Sequence, residues 1–174
     1  MEHVVLVSDD GTPTGSLPKS EVHTTTTPLH LAFSCYLVGE DGRILVTRRA
    51  LSKTAWPGVW TNSFCGHPQP GEELEAAVHR RAAQELGAEI SGLQLVLPDF
   101  RYRAVDDSGI VENEICPVFT AQLTGPLDPH PAELMQWDWA HPVALRQAVE
   151  AAPYAFSPWM VEQLAQMPWW GANR

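Results

Sequence analysis

The chain has 174 residues, 44% of them hydrophobic and 18% charged, with a formal net charge of −10. That fits one α/β domain of ordinary size, spanning 1–174 and able to bury a core. The charge disfavours a nucleic-acid partner, no apolar run approaches a membrane span, and no basic leader precedes one, so a cytoplasmic, monomeric protein is the expectation.

Val4 to Val7 reads as a first strand, turned by Asp9-Asp10-Gly11. Thr14 to Val22 reads as a loop carrying Lys19, followed by His23 and a run of threonines expected to be extended. His30 to Val38 and Arg43 to Arg49 form a predicted hairpin around Glu40-Asp41-Gly42. Trp56 to Trp60 is a loop leading into Asn62-Ser63-Phe64-Cys65-Gly66-His67-Pro68.

Pro70 to Glu73 opens a helix. Leu74, Ala77, Val78, Ala82 and Leu86 have helical spacing, and Gly87 is its stop. Leu93 to Leu97 is a strand that Phe100 to Ala104 would continue, and Val111 to Ala121 is another. Met135 to Ala140 is a short strand. Pro142 to Val149 is a helix, and Ser157-Pro158 begins a last one reaching about Met167.

Chemistry concentrates in a few places. Cys65 and His67 lie two residues apart, on one side of an extended segment. Glu112 and Glu114 share a strand face by the same parity. With His23, His30 and His67 they could hold a divalent first-row metal, although a histidine alone is more often a surface or hydrogen-bonded core residue. There are only two lysines, Lys19 and Lys53, against nine arginines. Together with Arg49 and Arg81 they could clamp a diphosphate, or be solvated surface. Arg81 and Glu85 are i,i+4 neighbours, which a helix ion pair explains as well as a shared phosphate–Mg²⁺ site does. The cysteines Cys35, Cys65 and Cys116 match no disulfide pattern and are expected to be thiols. Cys116 shares the parity of Glu112 and Glu114 and reads as packing.

Gly66, Glu72, Arg80, Glu85 and Gly87 resemble the Nudix box, with Arg81 and Gln84 standing at two of its acidic positions. That substitution suits holding a diphosphate rather than cutting it. His23 with Thr26-Thr27-Pro28-Leu29-His30, the stretch Trp60 to Pro68, Glu112-Asn113-Glu114 and Phe156-Ser157-Pro158-Trp159 extend the likeness from about Val4 to Met167. The chain resembles the type 1 isopentenyl-diphosphate delta-isomerases, a branch of the Nudix superfamily. The resemblance implies a Nudix-like mixed β-sheet core flanked by helices and interconversion of isopentenyl and dimethylallyl diphosphate in isoprenoid biosynthesis. It implies Cys65 and Glu114 as catalytic residues, Tyr102 assisting the glutamate, and Trp159 facing a developing cation. It further implies Lys19, Arg49, Lys53 and Arg81 on the diphosphate. His23, His30, His67, Glu112 and Glu114 would hold one metal, Mg²⁺ or Mn²⁺ with Zn²⁺ open, and Glu85 a second Mg²⁺ bound with the substrate.

Overall fold

The computed structural model describes residues 2–167. In chain order the elements are β1 (His3–Val7), β2 (Pro13–Pro18), the one-turn α1 (Lys19–Val22), β3 (His30–Leu31), β4 (Phe33–Val38), β5 (Ile44–Arg49), β6 (Trp60–Thr61), β7 (Phe64–Gly66) and α2 (Leu74–Leu86). There follow β8 (Ile90–Leu97), β9 (Arg101–Val105), β10 (Val111–Ile115), β11 (Val118–Leu123), β12 (Leu134–Ala140), α3 (Pro142–Ala151), a 3₁₀ turn (Pro153–Ala155) and α4 (Pro158–Gln166).

Two sheets result, one ordered β2-β1-β3-β10-β9 and the other β12-β5-β4-β11-β8, with β6 on β5 and β7 on β4. The expected mixed α/β core is present. One run of chain feeds both sheets at two places. β3 pairs parallel with β10, then β4 pairs parallel with β11. Ala32 N–H to Ile115 O at 2.9 Å and Ser34 N–H to Pro117 O at 3.1 Å carry the ladder across the change. Pro117 has no N–H to offer, and the Cys116 N–H turns to Phe100 O at 2.8 Å. The single strands expected over Val111 to Ala121 and over His30 to Val38 are therefore each two strands in two sheets.

Three other expectations change. Pro98 and Asp99 form a turn, so Phe100 to Ala104 does not prolong β8; β9 belongs to the other sheet. Thr14 to Val22 is not a loop but β2 followed by α1. The threonine run is a turn, not extended: Thr24 N–H donates to Thr27 Oγ1 at 2.8 Å, and Thr27 Oγ1 donates back to Thr24 O at 3.0 Å. Short hydroxyl side chains here supply backbone partners that a strand would otherwise provide.

Strand parity sets the layers. Phe33, Cys35 and Leu37 of β4 bury with Ala77, Val78, Ala82 and Leu86 of α2, while Tyr36 buries with Leu145 of α3 and Met160 and Leu164 of α4. Alternate residues of one strand thus pack against helices on opposite faces. Each large aliphatic so buried contributes about 1.5–3 kcal/mol. Gly87 closes α2 at φ 57°, with its N–H on Ala83 O and that of Ala88 on Ala82 O. A left-handed residue there satisfies carbonyls that the helix end leaves open.

Gly66 packs tightly between the sheet and α2. A Cβ there would lie 2.6 Å from Arg81 Cγ and 2.8 Å from Phe33 Cζ. Both neighbours are buried. Gly66→Ala should lower stability by about 1–3 kcal/mol through overpacking, measured by urea unfolding; an unchanged midpoint would mean that helix and sheet separate easily.

Candidate active site

A cavity of about 220 Å³ opens where the two sheets part, lined by Lys19, His23, Arg49, Lys53, Cys65, His67, Arg81, Glu85, Tyr102, Glu112, Glu114 and Trp159 among others. Of the site residues expected from sequence, His30 alone does not line it; it is fully buried just behind.

The register explains the convergence. Glu114 of β10 stands opposite His30 of β3 on one side and Tyr102 of β9 on the other. Directly opposed residues put their side chains on the same face. Tyr102 donates its hydroxyl to Glu114 Oε2 at 2.9 Å, and Glu114 Oε1 lies 3.3 Å from His30 Nε2 and 3.1 Å from His67 Nε2. His30 Nδ1 lies 2.9 Å from Pro28 O. A carbonyl only accepts, so Nδ1 carries a proton and Nε2 is the nitrogen turned toward Glu114. His23, just after α1, brings Nε2 to 3.0 Å from Glu112 Oε2.

One ligand atom from each of His23, His30, His67 and Glu114 falls within 4.8 Å of all the others. His23 Nε2, His30 Nε2 and Glu112 Oε2 are buried without a well-directed hydrogen bond. Buried polar atoms ordinarily have partners. Imidazole and carboxylate donors left open toward one point fit a divalent cation. Glu112 stands beside this group through His23 rather than within it.

Burial pushes the His67 imidazole down to about 3, so it remains a neutral donor. Burial alone would raise the Glu114 carboxyl, but the imidazoles of His30 and His67 outweigh it and hold Glu114 well below its ordinary range. Burial, then repulsion from Glu114, raises Glu112. Burial also lifts the Cys65 thiol to about 11, which keeps it protonated. Its Sγ donates to Asn62 Oδ1 at 3.2 Å and lies 3.4 Å from Ser34 Oγ. Cys35, Cys65 and Cys116 are all free thiols; Cys116 is buried in the core, as expected of packing.

The box motif is braced by a fork. Arg80 donates Nε and Nη2 to the two oxygens of Glu72 at 2.7 and 2.8 Å, and Nη2 also reaches His67 O at 3.0 Å. A bidentate guanidinium–carboxylate pair fixes direction as well as distance. It ties the α2 side of the motif to the backbone of His67.

The four basic residues meet at the cavity, each already engaged. Lys19 pairs with Glu2 at 2.9 Å. Lys53 pairs with Glu133, and Arg81 reaches Glu85 at 3.1 Å and Glu133 at 3.3 Å. Arg49 donates to Ala55 O and Trp56 O, and its Cζ lies 5.3 Å from the centroid of the Trp159 ring. Trp56 is held at φ 44°, a strained setting for a tryptophan. Sequence reasoning missed Glu2 and Glu133. Glu2 lies just before a short strand, and Glu133 in a Pro-rich approach to β12, so neither carried a periodic signal.

Comparison with known proteins bears on the fold and the family. Residues 28–160 match the NUDIX domain family. The solved structure of a Deinococcus radiodurans protein superposes with a TM-score of 0.75 at 19% identity, covering 96% of this chain and 99% of that one. A likeness at that identity speaks for the fold. Closer in sequence are proteins named isopentenyl-diphosphate Delta-isomerase. That of Paenarthrobacter aurescens is 58% identical over 95% of this chain and 90% of its own. That of Clavibacter michiganensis is 60% identical over 94% and 84%. The chain belongs to the NUDIX superfamily and, within it, to the isopentenyl-diphosphate Delta-isomerase family of enzymes.

Glu133 gives a pH test. Its burial works against ionisation, but Lys53 and then Arg81 hold its carboxyl down at about 2 against an ordinary 4.5. A depressed carboxyl stabilises the fold above its unfolded value and loses that contribution as pH falls toward the folded one. Glu133→Gln should therefore lower Tm at pH 7, with the gap from the unsubstituted protein closing between about 4.5 and 2. A gap independent of pH would show that the pairing contributes nothing.

Proposed function

We propose that the protein interconverts isopentenyl and dimethylallyl diphosphate by a metal-dependent 1,3-allylic proton shift through a tertiary carbocation. Its partner is then a small diphosphate, without nucleic acid or membrane, and it acts as a cytoplasmic monomer. What carries the reading is one cavity lined by a thiol, a carboxylate with its tyrosine, an indole and a set of cations. Relatives named for the same activity support it.

The reaction adds a proton to one carbon and removes one from another, so two acid–base groups must reach a five-carbon unit. Cys65 and Glu114 are those groups. They arrive from different sheets, on β7 and β10. Which of them donates depends on the direction of reaction. Tyr102, bonded to Glu114 Oε2, steers that carboxyl and can pass its proton.

An alkene is a weak base, and water would trap the cation formed, so the surroundings must be dry and electron-rich. Trp159 is buried and lines the cavity. An indole face lowers the energy of a desolvated cation by about 2 kcal/mol or more. The Arg49 guanidinium over the same ring illustrates that the face accepts positive charge.

Lys19, Arg49, Lys53 and Arg81 are assigned to the diphosphate, arginine by its fork and lysine as a point charge. Bound divalent cations, one on His23, His30, His67 and Glu114 with Glu112 beside it and a second Mg²⁺ on Glu85, would make protonated Glu114 a stronger acid and neutralise phosphate charge.

Proton NMR of isopentenyl diphosphate in D₂O tests this. With purified protein and Mg²⁺ or Mn²⁺ we expect dimethylallyl diphosphate bearing deuterium, and none after chelation. Cys65→Ala and Glu114→Gln should each lower kcat by at least about 100-fold, while Cys116→Ala keeps most activity. Release of phosphate or diphosphate without isomer would replace this reading with a NUDIX hydrolase.

A further inference from the structure

Asn62 follows β6 and is fully buried, yet it belongs to none of the acid–base, metal or diphosphate sets. Its amide uses every hydrogen-bonding position. Nδ2 donates to Cys35 O at 3.1 Å and to Phe64 O at 2.7 Å. Carbonyls only accept, so this orientation of the amide is forced. Oδ1 then faces three donors: Thr61 Oγ1 at 2.9 Å, Cys65 Sγ at 3.2 Å and Trp159 Nε1 at 3.0 Å.

One oxygen therefore links a thiol on β7 to an indole on α4, residues far apart in sequence. The link is backed on both sides. The Ser157 N–H at the start of α4 donates to Trp60 O at 2.8 Å, and Ser157 Oγ lies 2.7 Å from Thr61 Oγ1. Thr47 Oγ1 holds the Asn62 carbonyl itself at 2.9 Å. A buried amide anchored at its nitrogen and its backbone has little freedom to follow either neighbour. The thiol and the indole are instead held to it.

We propose that Asn62 is a positioning residue for the isomerisation, fixing the Cys65 thiol and the Trp159 ring relative to each other. The proposal rests on the roles given to those two side chains above. Both must meet the same small substrate, one at the carbon exchanging a proton and the other at the charge it creates. Displacement of reacting groups by about 1 Å costs on the order of 100-fold in rate. Among the described residues the hydrogen bonds of Asn62 involve none of the diphosphate cations, so the effect falls on turnover rather than on anchoring.

The test deletes single hydrogen bonds. Replacing Trp159 by β-(3-benzothienyl)alanine exchanges the indole N–H for sulfur and keeps an aromatic face of the same shape. We expect kcat to fall by about tenfold, the scale of one lost buried hydrogen bond, with KM and the dissociation constant for inorganic diphosphate unchanged. Asn62→Ala should lower kcat further, and adding the benzothienyl residue to it should cost nothing more. Wild-type kcat in the benzothienyl protein, additive losses in the pair, or an equal loss of diphosphate binding would each overturn the proposal. Full activity of Cys65→Ala would overturn the role given to Cys65, and this proposal with it, whereas no isomerisation by the unsubstituted protein would overturn the isomerase reading itself.

Discussion

Everything at this site depends on two parallel strand pairs that change sheets at the same level. β3 continues into β4 and β10 into β11, and the ladder persists through Ala32 and Cys116-Pro117. Where the sheets part, side chains that would otherwise meet a packed neighbour face a cavity instead. Glu114 stands at that point with His30 and Tyr102 in register on either side. The row needs no loop to position it, and pairing between strands fixes directions well. His67 joins from the end of β7, and the Arg80–Glu72 fork keeps its backbone in place.

The electrostatics follow from this geometry. Carboxylates at Glu112 and Glu114 lie close and buried, a costly arrangement unless positive charge or hydrogen bonds compensate. Compensation is uneven. Glu114 has two imidazoles and a phenol, and its carboxyl is held down, whereas Glu112 has one imidazole and is pushed up. The basic residues show the converse. Glu2, Glu85 and Glu133 already stand against Lys19, Lys53 and Arg81. On the proposed assignment, an incoming diphosphate would meet cations whose positions are set in advance and would compete with the carboxylates that set them.

Much of this was readable in the sequence, for definite reasons. The α2 periodicity and Gly87 predict that helix and its C-terminal end, because amphipathic spacing and a left-handed stop are both local signals, while its start falls at Leu74, after the Pro70 to Glu73 stretch expected to open it. Strand parity in Glu112–Glu114 and Cys65–His67 correctly gathers side chains onto one cavity. Parity says nothing of which sheet a strand joins, which is why β10 and β11 read as one strand, β3 and β4 as another, and β9 as a continuation of β8. The threonine run misled because its β-propensity gave way to hydroxyl–backbone bonds in a turn. Glu133 was missed because its role depends on Lys53 and Arg81, whose nearness to it is purely tertiary.

The strand register has a bearing on how the protein comes to be folded. His30 and Glu114 pair in parallel, and a parallel pair cannot be closed by a short turn. Helix α2 and strands β4 to β9 lie between them in the chain. Local hairpins and α2 can form without that pairing, whereas the His30–Glu114 row requires the intervening chain to be closed first, at an entropic cost. The polar centre is therefore expected to form late in folding. A partly folded chain could carry its helix and hairpins and still lack any place where imidazoles and carboxylate meet.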